Sequence, residues 1–280
     1  MRTAVVGHVE WVEFVRVPHV PRPGEIVHTI DQWEEPAGGG SAAAVRLHEL
    51  SGDCTFFTAL GDDELGRRAA EGLGSMGVRV EAALRADPTR RAITHVDDDG
   101  ERTITVVGDR LAPSGSDDLP WEELASVGAV YFTAGDVESL RRARAAKVLV
   151  ATVRVLPILA TAGVQLDAVV GSELDPGEPY RDGDIDPPPR IVVRTRGAEG
   201  GRYEVGGAAQ TYDASAPLGN VVDRYGAGDA FAAGLTFALG AGMPPARAID
   251  VAARCGAAVV TGRGPYDGRI DRAALGLSGK

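Results

Sequence analysis

Apolar positions along this chain fall into short continuous runs, and helical periods fill most of the gaps between them. Thr3–Val6 has the character of a short buried strand and stops at Gly7. Trp11–Val15 and Ile26–Ile30 are strand-like, divided by a proline-rich turn at Pro18, Pro21 and Pro23-Gly24. Gly38-Gly39-Gly40 precedes a predicted helix over Ser41–Leu50, with Ser41 near its cap. A strand at Thr55–Ala59 leads into Gly61-Asp62-Asp63-Glu64-Leu65-Gly66, and then a helix to about Met76. From Val78 to Val107 the pattern turns to strands and turns, with Ile93–Val96 and Thr103–Val107 flanking the turn at Asp98-Asp99-Gly100. After Pro120 the apolar runs Ala129–Phe132, Val148–Ala151, Ala168–Val170 and Ile191–Val193 alternate with helical segments such as Val137–Ala146 and Val155–Ala162. Buried strands alternating with helices predict a parallel sheet covered on both faces. Asp175–Arg190, rich in proline and acid, is expected to be a mobile loop. Two helices, roughly Ala227–Ala241 and Pro245–Thr261, complete the pattern, with no internal repeat.

Composition narrows the picture. A chain of 280 residues has ample length for one large α/β domain or two modest ones. A formal net charge of -11 argues against nucleic acid or anionic membrane as a main partner. Cys54 and Cys255 are far apart and in no metal-like spacing, which fits a reducing compartment. No stretch approaches a membrane span and the N-terminus has no long apolar core, so a cytoplasmic protein is expected. The five histidines lack helical metal spacing and read as structural or surface residues. The acidic run Asp97-Asp98-Asp99 reads as a turn.

The chemistry concentrates at Asp223-Arg-Tyr-Gly-Ala-Gly-Asp-Ala-Phe231. Val221-Val222 ends an extended segment, Gly226-Ala227-Gly228 is a turn, and Asp229 opens a helix of small residues. Ala230, Ala233, Gly234, Phe237, Ala238 and Ala241 share one face of that helix, so a neighbour can pack close. Glycines before a helix leave backbone N–H groups unobstructed, and the macrodipole adds partial positive charge. Such a terminus suits a phosphate or a developing phosphoryl charge. A carboxylate there makes sense if Asp229 accepts a proton from the attacking hydroxyl; the alternative is an ordinary first-turn carboxylate.

The nine-residue string resembles the C-terminal signature of the ribokinase-like (PfkB) carbohydrate kinases, Asp-x-x-Gly-Ala-Gly-Asp-x-Phe. Other segments extend the resemblance in order. Gly38-Gly39 opening a helix, followed by Gly61-Asp62-Asp63 and Gly66, is similar to the family's N-terminal signature, whose glycine pair lines the sugar site. Thr195-Arg-Gly197-Ala-Glu-Gly200 resembles its Thr-x-Gly-x-x-Gly nucleotide loop. Ser172-Glu-Leu-Asp175 stands where the family usually has Asn-x-x-Glu, a motif that helps place Mg²⁺ and phosphate. Two polar sugar-binding groups of the family are absent from their expected places, which hold Val12 and Ala43, with Glu10 and Glu13 nearby. Arg224 and Tyr225 replace the small or hydroxylated residues common there.

The resemblance implies an α/β fold, a ribokinase-like three-layer sandwich with a mostly parallel central sheet and a small β-sheet lid. One domain spans 1–280, with lid segments at approximately 8–32 and 78–107. The implied activity is Mg²⁺-dependent transfer of the ATP γ-phosphate to a hydroxyl of a small sugar-like acceptor. Asp229 would act on that hydroxyl, with Gly226, Ala227 and Gly228 as the anion hole. Thr195, Gly197, Gly200 and Ser172 would bind ATP. Gly38, Gly39, Glu10, Val12 and Ala43 would line the acceptor site, and Asp175 would serve Mg²⁺. Asp223 either structures the turn or helps seat a cation, leaving room for a monovalent ion. Asp229 at a helix N-terminus is expected to stay ionised as a weak base. A homodimer through the lid fits the family. A nucleoside kinase of the same fold and a catalytically silent sugar- or nucleotide-binding protein remain as alternatives.

Overall fold

The computed structural model describes residues 1–98, 100–273 and 275–277. Its centre is β1 (Thr3–Val6), which pairs in parallel with β4 (Cys54–Gly61) on one side and β8 (Ala129–Phe132) on the other. Beyond β8 come β9 (Val148–Thr152), β10 (Ala168–Ser172) and β11 (Ile191–Thr195), each in parallel register. β1, β4, β8 and β9 are buried at every position, as parallel strands between two helical layers must be. One layer holds α1 (Gly39–Ser51), α2 (Glu64–Ser75), α5 (Ala227–Gly240) and α6 (Pro245–Val259). The other holds α3 (Val137–Ala143) and α4 (Leu156–Ala162).

The small-residue face of α5 finds its neighbour in α6. A Cβ added to Gly234 would lie 2.8 Å from Cys255 Sγ and 3.0 Å from Ala252 Cα, so the two helices touch nearly backbone to backbone. Both cysteines are buried and free, and burial pushes each thiol up to about 12.

Three expectations need correction. Ile26–Ile30 forms no strand; Ile26 and Ile30 are exposed, and the strand is β3 (Asp31–Ala37), immediately before the glycines. Its sequence carries little alternation, but β2 (Glu10–Arg16) pairs with it residue for residue from Glu10–Ala37 to Arg16–Asp31. The lid therefore reaches to Ala37, and its sheet has the order β3-β2-β6-β7, with β6 (Arg91–Val96) and β7 (Arg102–Val107). β5 (Arg79–Arg85), placed by its sequence in the second lid segment, instead joins β4 at the edge of the large sheet. A β-α-β crossover through α2 returns it parallel to β4. Finally, β12 (Gly201–Val205) and β13 (Ala208–Tyr212) extend the large sheet as an antiparallel hairpin that the sequence pattern did not reveal.

Smaller differences follow. Ser41 is not the cap of α1: Gly38 is, at φ 99°, and Ser41 Oγ donates back to the Gly38 carbonyl at 3.0 Å. The 175–190 loop is tied down by Ile185, which is buried in the core of the α3–α4 face. Asp99, in the turn expected between β6 and β7, lies outside the described residues. Gly100 N–H closes that turn on the Asp97 carbonyl at 3.0 Å.

Candidate active site

The C-terminal ends of β1, β8, β9, β10 and β11 all point to one side of the sheet, where open α/β sheets bind ligands. Just beyond β1, Gly7 is so close to Thr133 that an added Cβ would lie 2.3 Å from Thr133 Oγ1. His8 and Glu10 follow, both buried. Gly38 packs on them: the position of its missing Cβ is 3.2 Å from His8 Nε2 and 3.4 Å from Glu10 Cγ. The corresponding position at Gly39 is 2.8 Å from Asp229 Oδ1. The N-terminal glycine pair and the C-terminal aspartate, 190 residues apart in the chain, thus share one wall, and no side chain fits between them.

Gly226 takes a left-handed φ of 79° and caps α5. Its carbonyl accepts from Ala230 N–H at 2.8 Å, whereas Ala227 N–H turns toward the Arg224 carbonyl at 3.4 Å. Among the described residues the N–H groups of Gly228 and Asp229 have no acceptor, and a Cβ on Gly228 would meet nothing within 4 Å. Of the expected set Gly226, Ala227 and Gly228, only Ala227 N–H is engaged; Gly226 N–H likewise has no acceptor among the described residues, and Asp229 N–H is a further unused donor. Asp223 structures the turn. One of its oxygens accepts from Tyr225 N–H at 2.8 Å, the other from Gly264 N–H at 2.9 Å.

Asp229 is not the strongly acidic group expected at a helix start. Burial raises its pKa to about 6; Arg154 and Arg102 pull the other way, and Glu178 and Glu10 add to the rise. Desolvation of this half-buried carboxylate is the largest contribution and outweighs the helix terminus.

Val12 and Ala43 are corrected. Both are at 0% exposure, Ala43 inside the α1 core and Val12 in the lid core with Phe14, Ala37, Ala92, Val96 and Tyr225. Tyr225 is the reason for Val12. Its ring stands edge-on to Phe14 at 5.1 Å, and its hydroxyl accepts from Gly38 N–H at 3.2 Å. The bulky residue at this motif position fills the space over Val12. Trp11 turns to the opposite face, under Arg68 at 4.2 Å. Glu10, also buried, is paired as a charge with Arg90 at 3.1 Å.

Farther along the sheet, Ser172 and Thr195 are register partners at the ends of β10 and β11. The turn after Thr195 uses left-handed Gly197 and Gly200, closed by Arg196 N–H on the Gly200 carbonyl at 2.8 Å. A cavity of about 560 Å³ opens beside it, walled in part by Ser172, Asp175, Glu178, Tyr180 and Arg196; Asp229 is outside its walls. Asp175 is not a free ligand: Arg154 binds one oxygen and Gly177 N–H the other. Arg154 also holds Glu178 at 2.8 Å, and Glu178 accepts from Ser172 N–H at 2.6 Å. The described residues contain no group of three or more His, Cys, Asp or Glu suited to a metal ion. Arg224, at the other edge, pairs with Glu101 of the lid at 2.9 Å.

Sequence reasoning missed His8, Arg90, Arg110, Arg154 and Glu178. None carries a motif; each enters because the end of a parallel strand or a lid strand delivers it here.

The family model described as pfkB family carbohydrate kinase matches residues 2–164 and 186–272. The chain belongs to this family. The unmatched interval contains Ser172, Asp175 and Glu178, where the chain departs from the family pattern. An ATP-dependent ribose-1-phosphate kinase from Halopiger xanaduensis is 29% identical, over 92% of this chain and 91% of that protein. An acarbose 7(IV)-phosphotransferase from an Actinoplanes species is also 29% identical, covering 92% of each. Among solved structures, Arabidopsis thaliana ribokinase complexed with ribose and ATP superposes with a TM-score of 0.77 at 21% identity, over 98% of this chain and 97% of that one. Thermotoga maritima ribokinase gives 0.78 at 18%, over 99% and 98%. This PfkB kinase therefore has the ribokinase fold and is an ATP-dependent phosphotransferase acting on a sugar-like hydroxyl. No helix among its described residues is long and apolar enough to cross a membrane.

Proposed function

We propose that Asp229 takes the proton from the acceptor hydroxyl as that oxygen attacks the γ-phosphoryl group of ATP. The O–P bond to the acceptor forms, the bond to the ADP oxygen breaks, and the proton passes to the Asp229 carboxylate. The observation that carries this reading is the Asp229 carboxylate itself, pressed on Gly39 beside two unused N–H donors of its own helix. Those donors, from Gly228 and Asp229, receive the charge of the transferring group. ATP lies along the Thr195–Gly200 turn and Ser172, its phosphates toward α5. Glu10 orients the acceptor hydroxyls.

Mg²⁺ would be held chiefly by the nucleotide phosphates, as this ion usually is. Asp175 and Glu178, sharing one arginine, would leave a net negative spot to attract it. When bound, the ion neutralises phosphate charge. Arg154 keeps the two carboxylates away from Asp229 and offsets its charge. A second copy of the chain is the proposed partner for β7, exposed at all six positions with Ile104, Val106 and Val107 each more than 40% accessible. Sedimentation of wild type against Val106→Lys would test it; an unchanged monomer in both removes the dimer. The proposed location is the cytoplasm, where ATP is supplied.

Asp229→Asn tests the central claim. ADP release stimulated by an acceptor should fall by about 10²–10⁴-fold with ATP binding retained. Turnover within tenfold of wild type would assign the proton to another group.

A further inference from the structure

Arg46, in the middle of α1, is buried at 1% exposure, whereas the other buried positions of that helix hold Gly, Ser, Ala, Val and Leu. Its Nη1 donates to Glu49 Oε2 at 2.6 Å, and its Nη2 donates to the Pro265 carbonyl. Its Nε has no partner among the described residues. Burying a guanidinium group costs free energy that an apolar side chain would not, and an idle buried donor adds to that cost. Stability alone therefore does not account for this residue. What it fixes is the Pro265 carbonyl.

Pro265 stands directly behind the turn that opens α5. The position of the Cβ missing from Gly226 is 3.2 Å from Pro265 Cβ and 3.4 Å from Pro265 Cα. On one side of Pro265, Gly264 N–H donates to Asp223, whose other oxygen accepts from Tyr225 N–H within the same turn. On the other side, the Tyr266 hydroxyl donates to the Pro36 carbonyl of β3 at 2.7 Å. Three consecutive residues thus tie the lid, the turn and α1 together. Helix α1 meets the site at its own start as well, where Gly39 backs on Asp229. Arg46 is about two turns further along the same face. One helix therefore sets both the carboxylate, through Gly39, and the backing of the N–H donors, through Arg46.

We propose that Arg46 is a positioning residue for phosphoryl transfer. Its guanidinium group holds the Pro265 carbonyl, Pro265 holds Gly226, and Gly226 aims the N–H groups of Gly228 and Asp229 at the transferring group. The proposal rests on the reading of that turn as the anion site and extends it to a residue that no ligand touches. Donors stabilise developing charge best when they are fixed before it develops. A turn built on glycine has little stiffness of its own, so the stiffness comes from what the turn leans on.

Hydrogen exchange and kinetics test it together. Arg46→Met keeps a long side chain and removes its donors. Backbone exchange over 223–231 should quicken by about tenfold or more, while β1 and β8 exchange as in wild type. ADP release from MgATP is measured with the fastest acceptor among pentoses, hexoses, their phosphates and nucleosides. In Arg46→Met its kcat should fall by about 10- to 100-fold, with both KM values within about threefold. Arg46→Lys should restore part of kcat, because an ammonium group can still donate to the Pro265 carbonyl. Glu49 keeps 24% of its side chain in solvent, so Arg46→Met strands no buried charge. Pro265→Gly leaves Arg46 and Glu49 in place and removes the backing alone; it should give the same split, and it decides the matter if Arg46→Met does not fold. Unchanged exchange over 223–231, or kcat within about threefold of wild type in either folded variant, overturns the proposal. So does a loss of kcat that follows the melting temperature and is not relieved by lysine. Asp229→Asn separates this inference from the catalytic reading. An active Asp229→Asn beside an impaired Arg46→Met removes only proton transfer by Asp229. An inactive Asp229→Asn beside an unimpaired Arg46→Met removes only the role of Arg46.

Discussion

At the scale of single residues, the burial of Asp229 makes two statements about pH. Proton acceptance needs the carboxylate, so log(kcat/KM) should fall as pH drops below about 6. A profile flat to pH 5 would remove Asp229 from the rate-determining proton transfer. Stability runs the other way. The folded pKa lies above the unfolded one, so between them the folded state holds the extra proton and stability declines as pH rises through about 6. Asp229→Asn should accordingly unfold at the same or a higher temperature than wild type at pH 7, despite being inactive. Gly39→Ala inverts this pattern of cause: its methyl would land 2.8 Å from Asp229 Oδ1 and displace the carboxylate. We expect kcat to fall at least about tenfold, since a small misplacement of a reacting group can cost ~10²-fold; unchanged kcat would show that the wall yields. Gly228→Val meets nothing in the protein itself. It should fold normally and lose phosphoryl transfer, and retained kcat would mean that the turn is only a helix cap. The sequence revealed Asp229 and both glycine pairs because their spacing is a local backbone requirement. It could not reveal the pairing of Arg90 with Glu10, which depends on where a lid strand begins. Val12 misled because burial is decided by Tyr225, more than 200 residues away.

Elements were legible where one signal dominated. The continuous apolar runs of β8 to β11 and the small-residue face of α5 left little choice of structure. β3 was missed because its apolar content is low and Pro36 weakens the pattern; pairing with β2, not propensity, makes it a strand. β5 looks like its lid neighbours in composition, and only the α2 crossover assigns it to the large sheet. The hairpin β12–β13 is short and half-exposed, with Gly206-Gly207 at its turn. The α5–α6 contact makes its own prediction. Gly234→Val would drive a side chain into Cys255 and Ala252. Overpacking of this kind typically costs about 1–3 kcal/mol, and chemical denaturation would show it as a lower midpoint. An unaltered midpoint would mean the helices separate without strain.

For the whole molecule, the formal charge of -11 disfavours stray anions, so an anionic ligand depends on local donors such as the α5 N-terminus. The hydrogen bond from Gly38 to Tyr225 closes the cleft between segments 187 residues apart. That separation sets an order of events as the chain is made. Synthesis delivers the N-terminal segments first. When β11 has been synthesised, every parallel strand exists, but Tyr225 and Asp229 have not been translated. Contacts of such long range form late in folding because their loop closure is costly. On refolding, far-ultraviolet dichroism should therefore recover before ADP release does. Until α5 and α6 arrive, the apolar face of α1 stands uncovered on a nearly finished sheet, and in that interval the growing chain is most in need of a chaperone.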